Sequence, residues 1–331
     1  MPGWAIGTFL YPADEGFSLS NKSKPTIRAF LFFYLCLVGL SGCGNAASTS
    51  SPGSEKGAQP EKSLLIGLIP EQNIFKQMER YEPLANYLAG KIGIHVKLKV
   101  LTRYGNIVDN SISLRLDGAF FGSFSYALAQ RKLSVEVLVR HENLDGSSTY
   151  HGLIFVRKDS RIKNIKDMKG KCFVFVDKAT FAGFLLPLAY FKAHGVEDYK
   201  AYFKETYFSG THEGAIQDVF NKKADIGAAK NTIFERLVTA DPRIRQDLEI
   251  LEKSPNVPEN GLAVRKSLDP SVKKALQETL LNMHNDPMGT TVLKVLGARK
   301  FIRTTDKDYA PVFEYAHKIG LDLAQYDYMN E

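Results

Sequence analysis

From Ser63 onward the apolar positions fall into two alternating patterns. Short apolar runs predict strands at 64–69, 95–101, 117–121, 135–140, 151–157, 171–176, 224–229 and 247–251. Longer segments with apolar residues every three or four positions predict helices over 75–92, 104–116, 124–131, 181–194, 213–222, 271–284, 288–297 and 307–319. In the fourth of these, Phe184, Leu188 and Phe191 share one face. Strands alternating with amphipathic helices predict an α/β fold with mostly parallel sheets. The chain has 331 residues, and the part after position 62 is large for one sheet, so two similar lobes are expected.

The N-terminal part follows neither pattern. Residues 29–40 read AFLFFYLCLVGL, too short a run to span a membrane comfortably. Lys22, Lys24 and Arg28 precede it, and Ser41, Gly42 and Cys43 follow. A basic region, a short apolar region and small residues describe a secretory signal. Leu40-Ser41-Gly42-Cys43 also resembles a bacterial lipobox, which implies cleavage before Cys43 and a lipid on its thiol. An ordinary signal peptide or an anchor helix are the alternatives. The 28 residues ahead of the run are long for such a signal, so a start downstream of Met1 is expected. Residues 1–42 are thus expected to be a lipoprotein signal, and 43–62 a flexible tether without large apolar residues. A coil of that length spans roughly 25 Å.

Composition and charge narrow the function. With 44% hydrophobic and 24% charged residues the chain is neither disordered nor low-complexity. Its net charge of +7 is mixed, without the basic stripe of a nucleic-acid binder. Three cysteines exclude a disulfide scaffold. Cys172, within the apolar run of 172–176, reads as a small buried hydrophobe. The seven histidines include no pair at i, i+4, so no metal site is expected. No phosphate-binding loop, zinc-protease motif or nucleophile elbow is present, which lowers the expectation of an enzyme. No cofactor is implied.

Three joints between a strand and a helix share one design: 120–126, 176–183 and 208–214. Each places a hydroxyl residue at or just before a helix start, with glycine nearby. Serine and threonine cap helices by accepting free backbone N–H groups. The same N–H groups and the helix dipole favour an anion. Plain capping explains any one joint. Three in one chain, with His212 at a helix start, raise the anion reading.

The order of several segments adds a resemblance. They are Ile66-Gly67-Leu68-Ile69-Pro70-Glu71, Arg80 to Leu88, Leu116 to Tyr126, Asp167 to Lys171, the loop Asp177–Gly183, Ser209 to Ile216 and Lys223 to Gly227. In that order and spacing, residues 63–323 resemble the periplasmic substrate-binding proteins of phosphate/phosphite/phosphonate ABC transporters. The resemblance implies a type II periplasmic binding protein fold, with two α/β lobes joined by a hinge. It places lobe 1 at 63–153 plus 252–331 and lobe 2 at 154–251, with crossings near Ile154 and Leu251. It implies capture of a small oxyanion by lobe closure, and delivery to an ABC permease. A lipid-anchored monomer on the periplasmic or cell-surface face of a bacterial membrane is expected. A module reporting to a sensor kinase, or an enzyme on the same fold, are the alternatives.

Carried over by position, the ligand contacts would be Tyr104, Ser123, Tyr126, Thr180, Phe181, His212 and Asn231, with His212 donating more strongly when charged. The family's Ser-Thr-Ser-Gly loop reads Thr180-Phe181-Ala182-Gly183 here, so a less polar pocket is expected. Where the family can carry an acidic residue toward a ligand amine, this chain has Ala229-Lys230-Asn231-Thr232. An aminoalkyl phosphonate is therefore not expected. Lys178 and Ser125 read as a solvated charge and a helix cap, and Glu259 and Asn260 rank below the other contacts.

Overall fold

A computed structural model describes residues 63–330. The expected signal segment, Cys43 and the tether lie outside the described residues.

The first lobe opens with β1 (Ser63–Leu68), α1 (Ile74–Ile92), β2 (His95–Val100), α2 (Asn106–Ser113), β3 (Gly118–Phe121), α3 (Ser123–Lys132) and β4 (Val135–Asn143). Asn73 caps α1 by accepting from Phe75 N–H at 3.0 Å, and Gly93 ends it in the left-handed conformation. The chain then crosses through the short strand β5 (Thr149–Tyr150).

The second lobe holds β6 (Gly152–Arg157), β7 (Cys172–Phe175), α4 (Leu186–Ala193), α5 (Tyr199–Tyr202), β8 (Glu205–Phe208), α6 (His212–Phe220), β9 (Ile226–Lys230), α7 (Asn231–Ala240), α8 (Arg243–Asp247) and β10 (Leu248–Lys253). A turn of π-helix, Phe181–Leu185, leads into α4. The chain returns through β11 (Val257–Pro258) and completes the first lobe with β12 (Gly261–Arg265), α9 (Pro270–Asn282), α10 (Pro287–Leu296) and β13 (Ala298–Arg303). Helix α11 (Ala310–Lys318) follows.

The first lobe's sheet has the order β13-β4-β12-β3-β1-β2 and the second lobe's β10-β6-β9-β7-β8. Both are mixed, which corrects the expectation of mostly parallel sheets. β1 runs parallel to β2 and β3, and β7 to β8 and β9. The strands next to the crossings enter antiparallel: β12 on β3 and β4, β6 on β9, and β10 on β6. In the first lobe the strands of the returning chain, β12 and β13, run opposite to the β3 and β4 they join. The two crossings pair with each other as the antiparallel ribbon β5–β11. Ile154 and Leu251 fall inside β6 and β10, and the ribbon lies just outside them.

Three apolar clusters hold the unit together. One packs β1, Tyr81, Leu84 and Leu88 of α1 and Leu276 and Leu280 of α9 within the first lobe. A second, rich in phenylalanine, packs Phe173, Phe175, Phe184, Phe191 and Phe203 within the second. The third is continuous across the cleft, from Tyr104, Phe121 and Phe124 through Tyr150 to Phe155, Phe181 and Phe234. No described helix is long and apolar enough to cross a membrane.

Candidate functional site

The three joints singled out in the sequence converge on one cavity between the lobes. Its lining includes Ser123 and Ser125 from the first turn of α3, Thr180 and Phe181 from the loop after β7, and His212 from the start of α6. Glu71 after β1, Tyr104, Tyr150 on the ribbon, Lys230 at the end of β9 and Asn260 complete the wall. The space open to the centre of a water molecule is about 10 Å3. The lobes are closed on each other here.

Each joint has its own local cause. The loop at Thr180 is tight: its hydroxyl donates to Asp177 O at 2.6 Å, and Val176 N–H donates to Gly183 O at 3.2 Å. A Cβ on Gly183 would meet Val176 side-chain atoms at 2.4 Å, so only glycine lets the π-turn sit against β7. Thr211 caps α6 by accepting from Gly214 N–H at 2.8 Å, which puts His212 at the first helical position. Ser123 and Tyr150 share a hydrogen bond of 2.6 Å between their hydroxyls. The first-turn N–H groups of a helix lack intrahelical acceptors. Residues 123–125 of α3 and His212 of α6 line the cavity, while further along α6 the Glu213 N–H donates to Glu71 O at 3.4 Å and the Gly214 N–H to Thr211 Oγ1.

An ion cluster closes one side. Lys230 Nζ donates to Glu259 Oε2 at 2.6 Å, to Glu71 Oε1 at 3.1 Å and to Asn260 Oδ1 at 3.1 Å. It also lies 4.4 Å from the centre of the Tyr150 ring. Lys230, Glu71 and Glu259 are all buried. Burial, the largest single effect, would raise the Glu71 and Glu259 carboxyls. The Lys230 ammonium, together with Arg236 and Arg80 around Glu71, and with His141 and the Lys230 hydrogen bond around Glu259, holds both below the usual range. Burial would likewise lower Lys230, and Glu259 and Glu71 reverse the sign and raise it.

His212 is buried and neutral. Burial pushes it down to about 3, and the Lys230 ammonium adds to the effect against Glu71 and Glu259. Its Nδ1 accepts the Lys230 backbone N–H at 3.3 Å, so the proton sits on Nε2. His212 is thus left to donate from Nε2 as a neutral ring, without the added strength that a charge would bring. The Tyr104 ring meets the His212 ring edge-on at 5.7 Å between centroids. The Tyr104 hydroxyl is buried in the wall without a hydrogen-bond partner.

Tyr104, Ser123, Thr180, Phe181 and His212 therefore line the cavity, and two other candidates do not. Tyr126 turns into the first lobe, where its hydroxyl donates to Asp306 and its ring packs on Tyr309 at 4.5 Å. Asn231 spends its side-chain oxygen on His151 N–H at 2.9 Å, tying α7 to the crossing. Lys178 points away too, toward Asp327 at 3.3 Å. Ser125 lines the cavity and does not cap α3, contrary to expectation: its hydroxyl donates to Gly122 O at 3.1 Å and accepts no first-turn N–H. Glu71, Tyr150 and Lys230 were missed. Glu71 and Lys230 had a usable signal, because both stand at the carboxyl end of strands, where open α/β sheets bind ligands. Tyr150 had none.

Among the described residues no group of His, Cys, Asp and Glu could hold a metal ion. Cys172 packs against the core, and burial with Glu205 and Asp225 pushes its thiol up to about 11.

Comparison with known proteins gives one consistent answer. Residues 66–309 match the family model described as the periplasmic substrate-binding protein of phosphonate ABC transporters. The phosphonates-binding periplasmic protein of Escherichia coli (strain K12) is 26% identical over 263 residues, covering 78% of this chain and 77% of that one. A binding protein component of an ABC phosphonate transporter from Pseudomonas aeruginosa superposes with a TM-score of 0.73 at 24% identity, over 78% of this chain and 87% of that one. PhnD1 from Prochlorococcus marinus, solved with methylphosphonate, superposes with a TM-score of 0.70 at 23% identity, over 78% and 98%.

Proposed function

This chain belongs to the family of periplasmic substrate-binding proteins of phosphonate ABC transporters, and from that premise we propose that it captures a small phosphorus oxyanion between its lobes for an ABC permease. Phosphonate, phosphite and phosphate form the ligand class. The observation that carries the reading is the convergence of Ser123, Thr180 and His212, each at the start of a helical segment, on one interlobe cavity. Helix starts present N–H donors and the positive end of the dipole to an anion. Neutral donors hold the anion in this scheme, with His212 giving its Nε2 proton and Tyr104 and Ser123 their hydroxyls. Phe181 replaces a hydroxyl and leaves an apolar flank.

Closure follows from contacts made with both lobes at once. Ser123 and Tyr104 belong to the first lobe, and Thr180 and His212 to the second. The ribbon β5–β11, which carries both crossings, serves as the hinge. The chain works as a monomer and is held to the membrane by a lipid on Cys43.

A thermal-shift panel on the full chain in mild detergent tests the reading. Its members are phosphate, phosphite, methylphosphonate, sulfate and several carboxylates. A ligand at a hundredfold excess over its dissociation constant stabilises the native state by about 2.7 kcal/mol. A rise confined to phosphorus oxyanions is expected. A rise with carboxylates or sulfate instead would overturn the ligand class.

A further inference from the structure

The ion cluster bears on which oxyanions the cleft accepts. Lys230 has three N–H donors on its ammonium, and all three are engaged by Glu71, Glu259 and Asn260. Glu259 is engaged from other sides as well. It accepts from Asn143 Nδ2 at 3.2 Å and Asn260 N–H at 3.2 Å, and His141 Nε2 lies 3.7 Å away. Glu71, Lys230 and Asn260 line the same cavity as Ser123, Thr180 and His212. A cationic group on a ligand would need these two carboxylates, and the protein's own ammonium already holds them.

We propose that Lys230 is a specificity-determining residue that supplies the cleft's ammonium from the protein, so that the cleft takes phosphorus oxyanions without an amine and rejects amino-substituted ones. The proposal rests on the function proposed above. Two unlike costs enforce it. A ligand ammonium beside Lys230 Nζ meets a like charge in a buried, poorly screened site. Displacing Lys230 instead leaves its own charge buried and unpaired. An uncharged alkyl group avoids both and can lie against Phe181.

Ethylphosphonate and aminomethylphosphonate have the same number of heavy atoms and differ in a terminal methyl against a terminal ammonium. Calorimetric titration of the full chain with each reads the effect directly. The wild type is expected to bind ethylphosphonate at least tenfold more tightly. In Lys230→Met, which frees Glu71 and Glu259, that preference is expected to fall tenfold or more. If Lys230→Met does not fold, the double variant Lys230→Met/Glu259→Gln removes one unpaired charge and is expected to lose the preference in the same sense. Binding of the two ligands by the wild type within threefold of each other overturns the inference and leaves the proposed function standing. An unchanged preference in the variant also overturns it. Binding of phosphate with neither organic ligand makes size the limit and overturns it too. No binding of any phosphorus oxyanion overturns both readings together.

Discussion

Lys230 Nζ and Glu259 Oε2 lie 2.6 Å apart across the cleft, the ammonium on the last residue of β9 and the carboxylate just before β12. Glu71 meets the same ammonium from the first lobe at 3.1 Å. One buried cation thus joins the two lobes independently of any ligand contact. Removing one member of such a cluster leaves the other charges desolvated without compensation. Glu259→Leu is therefore expected to cost about 3–5 kcal/mol, the usual loss for breaking a buried pair. Urea unfolding of variant and wild type measures it. A loss below about 1 kcal/mol would mean that the cluster is solvated in the native protein.

The loop that carries Thr180 depends on a missing side chain. A Cβ on Gly183 would stand 2.4 Å from Val176 Cβ and Cγ2, and 2.8 Å from Thr180 Oγ1. None of these atoms is the far end of a flexible chain. Gly183→Ala is expected to destabilise the protein by about 1–3 kcal/mol. It should also weaken oxyanion binding, because Thr180 must move. A variant that unfolds as the wild type does and binds equally well would show that the π-turn is not needed.

How much of this was legible depends on the kind of signal. The hydroxyl joints were legible because Ser123, Thr180 and Thr211 stand at helix starts, although only Thr211 caps its helix through the side chain. The unit's α/β character was equally open to periodicity, and its two lobes to chain length and the family resemblance. Strand direction was not, because parallel and antiparallel pairing depends on how the chain returns through β5 and β11. β12 and β13 escaped notice for a related reason. Gly261–Arg265 and Ala298–Arg303 are short and partly polar, and become strands by pairing with distant β3 and β4. Tyr126 misled because its position in the turn after Ser123 fits a ligand contact, while its side chain finds Asp306 at a separation of 180 residues. Lys230 was passed over as part of a stretch without a carboxylate. Its partners, Glu71 and Glu259, lie 159 and 29 residues away.

The C-terminal residues hold the same loop from outside. Asn330 Oδ1 accepts from Lys178 N–H at 3.0 Å, and Asn330 Nδ2 donates to Asp177 Oδ2 at 2.9 Å. Tyr326 donates to Lys178 O at 2.9 Å and packs on Phe124 of the first lobe. Burial raises the Asp177 carboxyl above its usual value, against the pull of the Ala179 N–H and the Asn330 amide. Asn330→Ala removes one of those opposing bonds. The Asp177 carboxyl is then expected to titrate higher still, and stability to fall by about 1–3 kcal/mol. Carbon-detected NMR titration of the aspartates reads the first effect. An Asp177 titration that does not move, or moves down, would separate the tail from the binding loop.

His212 sets how the protein responds to acid. Its ring is pushed down to about 3 in the fold, against an ordinary value of 6.5. In the unfolded chain it takes a proton near 6.5, and in the native protein it stays neutral until about 3. The unfolded state therefore binds more protons between these limits, and stability falls as pH drops through that window. The slope from one such group is at most about 1.4 kcal/mol per pH unit. The carboxyl of Glu71, held below its ordinary 4.5, adds to the loss only at lower pH. His141 and His151, both lowered by burial, act in the same window but are common to wild type and variant. His212→Asn should therefore lose less stability than the wild type between pH 6.5 and 5, in urea unfolding at several pH values. Parallel losses would mean that His212 is protonated in the native protein. Affinity gives an independent check. His212→Asn replaces the imidazole Nε2–H by a shorter amide that does not reach the same point and should weaken oxyanion binding severalfold to tenfold, and the ratio of the two dissociation constants should not change from pH 8 to pH 5. The ligand's own titration cancels in that ratio, so a ratio that grows toward acid would put a charged imidazole on the anion.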